Sequence, residues 1–462
     1  MEEGKLKSGR LIRVVIICIC VLILFYFAMT IFFAKHLYFG STINGINVSG
    51  KSIEDAKDTI LVDSDSYSLE LKEREDVTEV INSKDIDLKC ENLDKVDEIQ
   101  DNQNPLLWVV GLFENKDFND SSMISFDENK LQQTIDKLSC FDKNKIIEPE
   151  NVSFEYKDNK FHMVDEIKGN KIDKNILTEN IKRAIKEGQS VLDLEEIDCY
   201  VKPNYTKDSE EAKNTNDLLN KYVSTKVNYT FGDINEVLDG TIINQWLNVD
   251  KDLNFNINKD SVKKYVKELA KKYDTVGIAR EFKTTGGSSI KIEGGDYGYE
   301  INQAKEVNEL IEIIKGGSET SREPVYSQKA LSRTGNDIGN TYVEINLSAQ
   351  HLWFYKDGAL ITDGSIVSGN ISTNCATPSG VYNLDYKEED AVLRGVGYAS
   401  NVKYWMPFNG GIGIHDASWR RGEFGGSIYK YAGSHGCINA PYSVAQAIFN
   451  NIKEGTPVIC YY

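Results

Sequence analysis

Proline is scarce in this chain of 462 residues: there are 8, against 35 glycines. Beside 10% aromatic and 40% hydrophobic residues, so little proline excludes a collagen-like or disordered chain and describes a folded protein. Cysteine is equally scarce, at 8 residues. Cys18 and Cys20 fall inside an apolar run, and Cys90, Cys140, Cys199, Cys375, Cys437 and Cys460 are spread beyond it. Thiols so dispersed do not make a disulfide scaffold, and domains of this size need no staples. Cys460, in VICYY, reads as part of a buried terminal strand. There is no CxxC and no HExxH, so the commonest metal signatures are missing. Positive charge is also short, with 53 Lys and Arg against 71 Asp and Glu and a net charge of −18. The first 34 residues carry +2 and residues 341–462 carry −2, which leaves −18 on residues 35–340. So acidic a region excludes nucleic-acid binding. Length alone suggests about two to four domains.

One long apolar run is present. Residues 14–34, VVIICICVLILFYFAMTIFFA, carry no charge and are long enough to cross a hydrocarbon core about 30 Å thick as one helix. Lys5, Lys7, Arg10 and Arg13 precede the run, and only Lys35 and His36 follow it closely. The positive-inside rule makes residues 1–13 a cytoplasmic tail and puts residues 35–462 outside the cell. A cleaved signal peptide has a shorter apolar core, about 7–15 residues, and a small-residue exit. The exit here is the bulky FFAKHLYF, so the sequence favours an uncleaved, single-pass anchor.

The acidic region repeats itself at an offset of about 130 residues. Residues 126–190 read as helix, strands, then a second helix opened by Gly169 with Ile172-Asp173. Residues 257–316 read the same way, with Gly298 and Ile301-Asn302. The upstream segments 67–81 and 227–238 also match, and the first copy carries an insertion around NPLLWVVGLF at 104–113. Two tandem α+β units follow, 35–200 and 201–320. Ser52 is the expected helix cap in the entry segment 40–58. Residues 321–340 lose periodicity and gather Gly, Ser, Thr and Asn, which marks a linker.

From residue 341 the pattern turns to β. Val343, Ile345 and Leu347 alternate, and Asp357-Gly358 is a hairpin signal. Short strands follow in GSIVSG, SGVYNLDY, YWMPF and GIGIHD, with Thr377-Pro378-Ser379-Gly380 marking a turn. PYSVAQAIFNNIKEG has helical spacing with Gly455 and Pro457 as its stop. The fold class is thus multidomain: a transmembrane helix, tandem α+β units, and a mainly antiparallel, β-sandwich-like domain with one late helix.

Within this last domain His415 ends a β run, and 18 residues separate it from Ser434-His435-Gly436-Cys437. A cysteine is a nucleophile only as thiolate, whose formation is favoured near imidazole or a helix N-terminus. Residues 439–441 are expected to open the late helix just beyond Cys437. Three readings fit the spacing: a cysteine nucleophile with a histidine base, a structural thiol, or a His/His/Cys zinc site short of a fourth ligand.

The run from His415 to Ser434-His435-Gly436-Cys437-Ile438-Asn439 resembles the signature of the L,D-transpeptidase (YkuD-type) catalytic domain. YVEINLSAQHLWFYKDGALI, SGN…TPSGVYNL and YWMPFNGGIGIHDASW are similar to the same family. The acidic repeats resemble the peptidoglycan-binding domains that precede it in Gram-positive surface proteins. The resemblance implies a cysteine acyl-transfer enzyme of cell-wall biogenesis, without metal or cofactor, that carbapenems acylate. Its partners would be peptidoglycan stem peptides, a tetrapeptide donor and an acceptor amine, joined as a 3→3 cross-link with release of D-Ala. Cys437 would be the nucleophile and His415 the proton acceptor and donor. His435 and Gly436 would shape the oxyanion site, Ser434 would hold the loop, and the Asp416 carbonyl would fix the His415 tautomer. Tyr404, Trp405, Trp419 and Asn439 are candidate substrate contacts, and Arg420 and Arg421 candidate partners for a stem carboxylate. An L,D-carboxypeptidase would use the same residues with water as acceptor. A wall-binding module with an inert catalytic fold is the alternative outside enzymes. Papain- and NlpC-like peptidases place Cys before His, the reverse of the order here.

Overall fold

The structure, a computed structural model, describes residues 2–395 and 398–462, and side chains from residue 10 onward except that of residue 398. Met1 and the side chains of Lys5 and Lys7, all in the tail, lie outside the described residues. A helix runs Glu2–Phe33, and its Arg10–Phe33 portion, 24 residues, is long and apolar enough to cross a membrane by length and composition. The chain divides into two compact units: residues up to Ser153 with Val164–Ser209, and Phe154–Met163 with Glu210–Tyr462.

The repeat expected from the sequence is present in three dimensions. The first copy runs helix Ile53–Ser66, hairpin Ser68–Lys72 with Thr78–Asn82, helices Glu128–Ile135 and Lys174–Lys186, then strand Val191–Asp193. That last strand returns parallel beside the first. The second copy has helix Glu210–Val223, hairpin Lys226–Phe231 with Ile234–Leu238, helices Lys259–Tyr273 and Gln303–Gly316, and the parallel return strand Glu319–Arg322.

The shared sequence marks have a physical cause. Gly169 (φ +65°) and Gly298 (φ +151°) sit against backbone, where an added Cβ would lie 2.4 Å from Ile147 O and from Thr275 C respectively. Only glycine allows that approach. Ile172 and Ile301 are buried, and Asp173 and Asn302 cap the next helix. Ser52 caps Ile53–Ser66, as expected.

The copies differ in two ways. Strands Lys89–Cys90 and Ile124–Ser125 pair across residues 91–123, whereas Leu247–Val249 and Phe255–Ile257 pair across 250–254. In addition, Phe154–Met163 belongs to the second unit. There Tyr156 and Phe161 pack on its core, and Phe161 N–H donates to Asn220 Oδ1 at 2.8 Å.

The segment 321–340 is tied down rather than loose. Strand Tyr326–Gln328 pairs with Glu300–Ile301. The buried Arg280 guanidinium donates to the carbonyls of Thr275, Tyr297 and Asn336 and meets Asp337 at 3.4 Å. Phe282, Ile292, Tyr297 and Ile338 form one apolar cluster with Val381, Ile459 and Tyr461 of the C-terminal domain.

That domain is a two-sheet sandwich. One sheet orders its strands Ala359–Ser365, His351–Lys356, Tyr342–Asn346, Pro457–Tyr461 and Gly380–Asn383; the other orders Glu388–Gly395, Tyr398–Asn409, Ile412–Asp416 and Ile438–Ala440. Asp357 and Gly358 (φ +50° and +83°) form the two-residue hairpin loop the sequence marks. Ile345, Phe354, Met406, Ile414, Ile438 and Val458 from both sheets close the core with Ile448 of helix Tyr442–Asn451. Side chains alternate across a strand, so burying Ile414 and Ile438 turns His415 and Asn439 to the opposite face of the second sheet.

Candidate active site

His415 and Asn439 are register partners on parallel strands, and Trp405 is the partner of His415 on its other side. Cys437 directly precedes Ile438–Ala440 and shares the face of Asn439 two residues on. It is half-buried against Ala391, Val402 and Trp405. His415 and Cys437 are thus diagonal neighbours on one face, a spacing that long side chains span.

The imidazole is fixed from both ends. Nδ1 lies 2.9 Å from the Asp416 carbonyl, which can only accept, so the proton sits on Nδ1. Nε2 therefore accepts, from Asn439 Nδ2 at 3.0 Å. Asn439 is oriented in turn by Arg420, whose Nε–H donates to Asn439 Oδ1 at 2.7 Å while its two terminal nitrogens bond Ala432 O at 3.2 Å. The chain Arg420–Asn439–His415–Asp416 leaves Nε2 as the basic atom. Trp405 and Trp419 flank the ring, with centroids 5.9 and 5.7 Å away, and His415 is 3% exposed.

Electrostatics follow from this burial. Desolvation pushes the His415 pKa below its ordinary value, and the Asp416 carbonyl only partly offsets it. Desolvation likewise pushes the Cys437 thiol up. At neutral pH the site therefore holds a neutral imidazole and a protonated thiol, which donates to Gly411 O at 3.5 Å. The two groups are therefore a neutral pair rather than a preformed ion pair.

The loop before the thiol is held by its own hydrogen bonds. Ser434 Oγ donates to Cys437 O at 2.5 Å and accepts from Gly436 N–H at 3.0 Å. Thr377 Oγ1 donates to Gly436 O at 2.6 Å and accepts from Gly369 N–H at 3.0 Å. Gly436 has φ +122°, and an added Cβ would press on Ile412 at 3.1 Å. His435 is exposed on this loop.

Several expectations need correction. Cys437 does not stand at a helix N-terminus: residues 438–440 are a strand and the helix starts at Tyr442, so no helix dipole lowers its pKa. Gly436 N–H is engaged by Ser434 Oγ, so this residue supplies backbone shape rather than a free oxyanion donor. Tyr404 lies in the sandwich core, its hydroxyl accepting from Gln446, and is not a groove wall. Asn439 is 2% exposed and holds His415 instead of touching substrate. Arg420 is likewise committed to Asn439 and Ala432, leaving Arg421 as the exposed arginine. The Asp416 carboxylate caps the neighbouring strand, accepting from the Lys403 and Tyr404 N–H groups at 2.8 Å. Of the aromatic candidates, Trp419, 46% exposed, is the one presented to solvent beside His415. Sequence reasoning missed the Arg420–Asn439 orientation of His415 and the Thr377 clamp on Gly436. The only signal for Thr377 was its place in a turn motif.

Two comparisons by family model bear on the class of this protein. The L,D-transpeptidase catalytic domain matches residues 340–460, and the peptidoglycan binding domain matches residues 80–193 and 205–322. A catalytic sandwich and a duplicated wall-binding unit are thus joined in one chain. Among solved structures, a cysteine-to-serine mutant of the Enterococcus faecium L,D-transpeptidase is 34% identical; the match covers 55% of this chain and 100% of that one, with a TM-score of 0.45. The catalytic domain of the E. faecium enzyme is 46% identical over 26% of this chain and 97% of that one, with a TM-score of 0.25. The same domain acylated by ertapenem matches at 46% identity over 27% and 98%, again with a TM-score of 0.25. No curated protein matches. The chain belongs to the L,D-transpeptidase family, with a YkuD-type catalytic domain preceded by peptidoglycan-binding domains.

Proposed function

We propose that this protein is a membrane-anchored L,D-transpeptidase that forms 3→3 peptidoglycan cross-links through an acyl-cysteine. The 14–34 helix holds it in the membrane with residues 35–462 on the wall side. Units 35–200 and 201–320 engage peptidoglycan, residues 321–340 connect, and 341–462 performs the transfer. As a donor carbonyl approaches, His415 Nε2 exchanges the Asn439 N–H for the Cys437 thiol proton. Sulfur bonds the carbonyl carbon of the third stem residue, its bond to the D-Ala nitrogen breaks, and the protonated imidazole gives its proton to that nitrogen as D-Ala departs. An amine from a second stem then attacks the thioester, loses its proton to His415, and releases the thiol. The oxyanion lies against the 435–437 loop, and Trp419 walls the groove. The observation that carries the reading is the Arg420–Asn439–His415–Asp416 chain, which supports a neutral imidazole whose Nε2, now accepting from Asn439, is its basic atom on the face it shares with the thiol. Intact-mass analysis tests it: ertapenem should add one adduct, mapped to Cys437, and Cys437→Ala should lose both the adduct and D-Ala release. An adduct that persists in Cys437→Ala, or activity silenced by EDTA and restored by zinc, would overturn it.

A further inference from the structure

The insertion that distinguishes the first repeat from the second is built onto the end of the apolar helix. Gln103 Nε2 donates to the carbonyls of Phe33 and His36 at 3.1 and 2.8 Å, and Gln100 Nε2 to that of Ala34 at 2.8 Å. The Phe33 carbonyl is one that the last turn of the helix leaves open, and those of Ala34 and His36 follow it directly. Tyr38 N–H donates to Gln103 Oε1 at 2.9 Å, and the Tyr38 hydroxyl bonds Asn104 O. Strand Lys116–Phe118 closes the insertion by pairing with Ser41–Ile43.

Between these anchors the short helical segment Pro105–Leu112 runs back alongside the apolar helix. Trp108 stacks on Phe33 at 5.9 Å and reaches Tyr26 and Phe25 at 6.0 and 6.1 Å. The Tyr26 hydroxyl donates to Leu106 O at 2.5 Å. Tyr26 lies seven residues before the helix end at Phe33, so the contact falls about 10 Å inside it at 1.5 Å per residue. Apart from Trp108, the large side chains around this segment are apolar and uncovered: Leu106, Leu107, Leu112 and Phe113 are exposed, Phe113 at 83%.

We propose that residues 105–113 are a membrane-embedded foot, seated about 10 Å into the outer leaflet beside the span, that fixes the first peptidoglycan-binding unit to the bilayer. The inference rests on reading 14–34 as a membrane span. Its occupant is lipid because the exposed face continues the apolar surface of that helix at the same depth. Irregular backbone at that depth is tolerated only when its polar groups are met internally. Here Leu106 N–H donates to Asn104 Oδ1, Leu107 N–H to Asn104 O, and Phe113 and Glu114 N–H to Val110 O. Buried apolar area of this kind is what holds interfacial segments in a leaflet. The second repeat, which has no helix to meet, has no counterpart of the insertion.

The test uses the full chain in lipid nanodiscs, with tryptophan emission compared between ordinary phospholipids and phospholipids brominated near the glycerol end of the acyl chains. Phe113→Trp and, separately, Leu112→Trp each add a reporter, and Ile16→Trp adds one within the span. Each foot reporter should lose more than half of its added emission to the brominated lipid. If Ile16→Trp is quenched while neither foot reporter loses more than a tenth, the foot is wrong and the span stands. If Ile16→Trp is not quenched either, the span reading has failed and the foot with it.

Discussion

Replacing His415 with Gln removes the proposed base while keeping a polar side chain of similar reach, and the structure sets what should follow. An ordinary thiol, with a pKa of about 8.5, is about 3% ionised at pH 7. Burial pushes Cys437 above that range, so without a base the reactive fraction is smaller and falls about tenfold for each pH unit below the thiol pKa. The loss at pH 7 should therefore exceed about 30-fold and lie within the 10²–10⁴-fold typical of a general base. The wild type should behave differently. Its His415 pKa is pushed below the ordinary imidazole value of about 6.5, so the acylation rate should rise only below that pH and stay flat to about pH 9. The assay is stopped-flow acylation by a carbapenem between pH 5 and 10, with adducts counted by intact mass. In His415→Gln, log rate should climb with unit slope throughout neutral pH and approach the wild type only above pH 9. Equal rates at pH 7, or a flat profile in the variant, would refute the base assignment.

Other outcomes follow from the same contacts. Arg420→Ala frees the Asn439 amide to rotate, so acylation should slow by about tenfold or more while a thermal melt shifts by only a few degrees. Thr377→Val strips Gly436 O and Gly369 N–H of a buried partner, and should cost about 1–3 kcal/mol by denaturant titration. Because His415 is held neutral, the unfolded chain binds more protons at acid pH. Its contribution to stability is complete above about pH 6.5 and is lost as pH falls toward the lowered folded pKa. Over that window the wild type should lose stability with falling pH along a slope that His415→Gln lacks, and melts of the two should run parallel above about pH 6.5. A fragment of residues 341–462 should melt below one of residues 274–462. Without the hairpin Arg280–Lys283 with Ser289–Ile292, Val381 and Ile459 lose their cover, and buried Glu344 loses the Thr285 N–H and hydroxyl that hold it at 2.9 and 2.6 Å.

Much of the architecture was legible because it is written in local chemistry. Asp357-Gly358 specifies a hairpin, Ser52 a cap, and the paired glycines Gly169 and Gly298 a backbone approach that recurs with the repeat. The strand Glu388–Gly395 was not legible, since its acidic start, Glu388-Glu389-Asp390, masks the alternation, with Asp390 at φ +55°. Nor was the transfer of Phe154–Met163 to the second unit, which depends on cores distant in sequence. At the site, motif spacing singled out His415 and Cys437 but misread the backbone between Cys437 and the helix. Residues 439–441 resemble a helix entry, yet Asn439 pairs with His415 in a sheet. The roles of Asn439 and Arg420 arise only when strands 24 residues apart are laid side by side, which no local pattern announces. Tyr404 and Trp405 are adjacent aromatics whose opposite fates, core and site, are decided by strand register alone.

The most direct test of the central claim is product analysis of disaccharide-tetrapeptides incubated with the full-length protein in detergent micelles. The account requires a dimer whose mass is two donors less one D-alanine. Fragmentation should place its link between the third residues of both stems, and Cys437→Ala should abolish it. Tripeptide without any dimer, a dimer linked through a fourth residue, or product formation undiminished in Cys437→Ala would contradict the account.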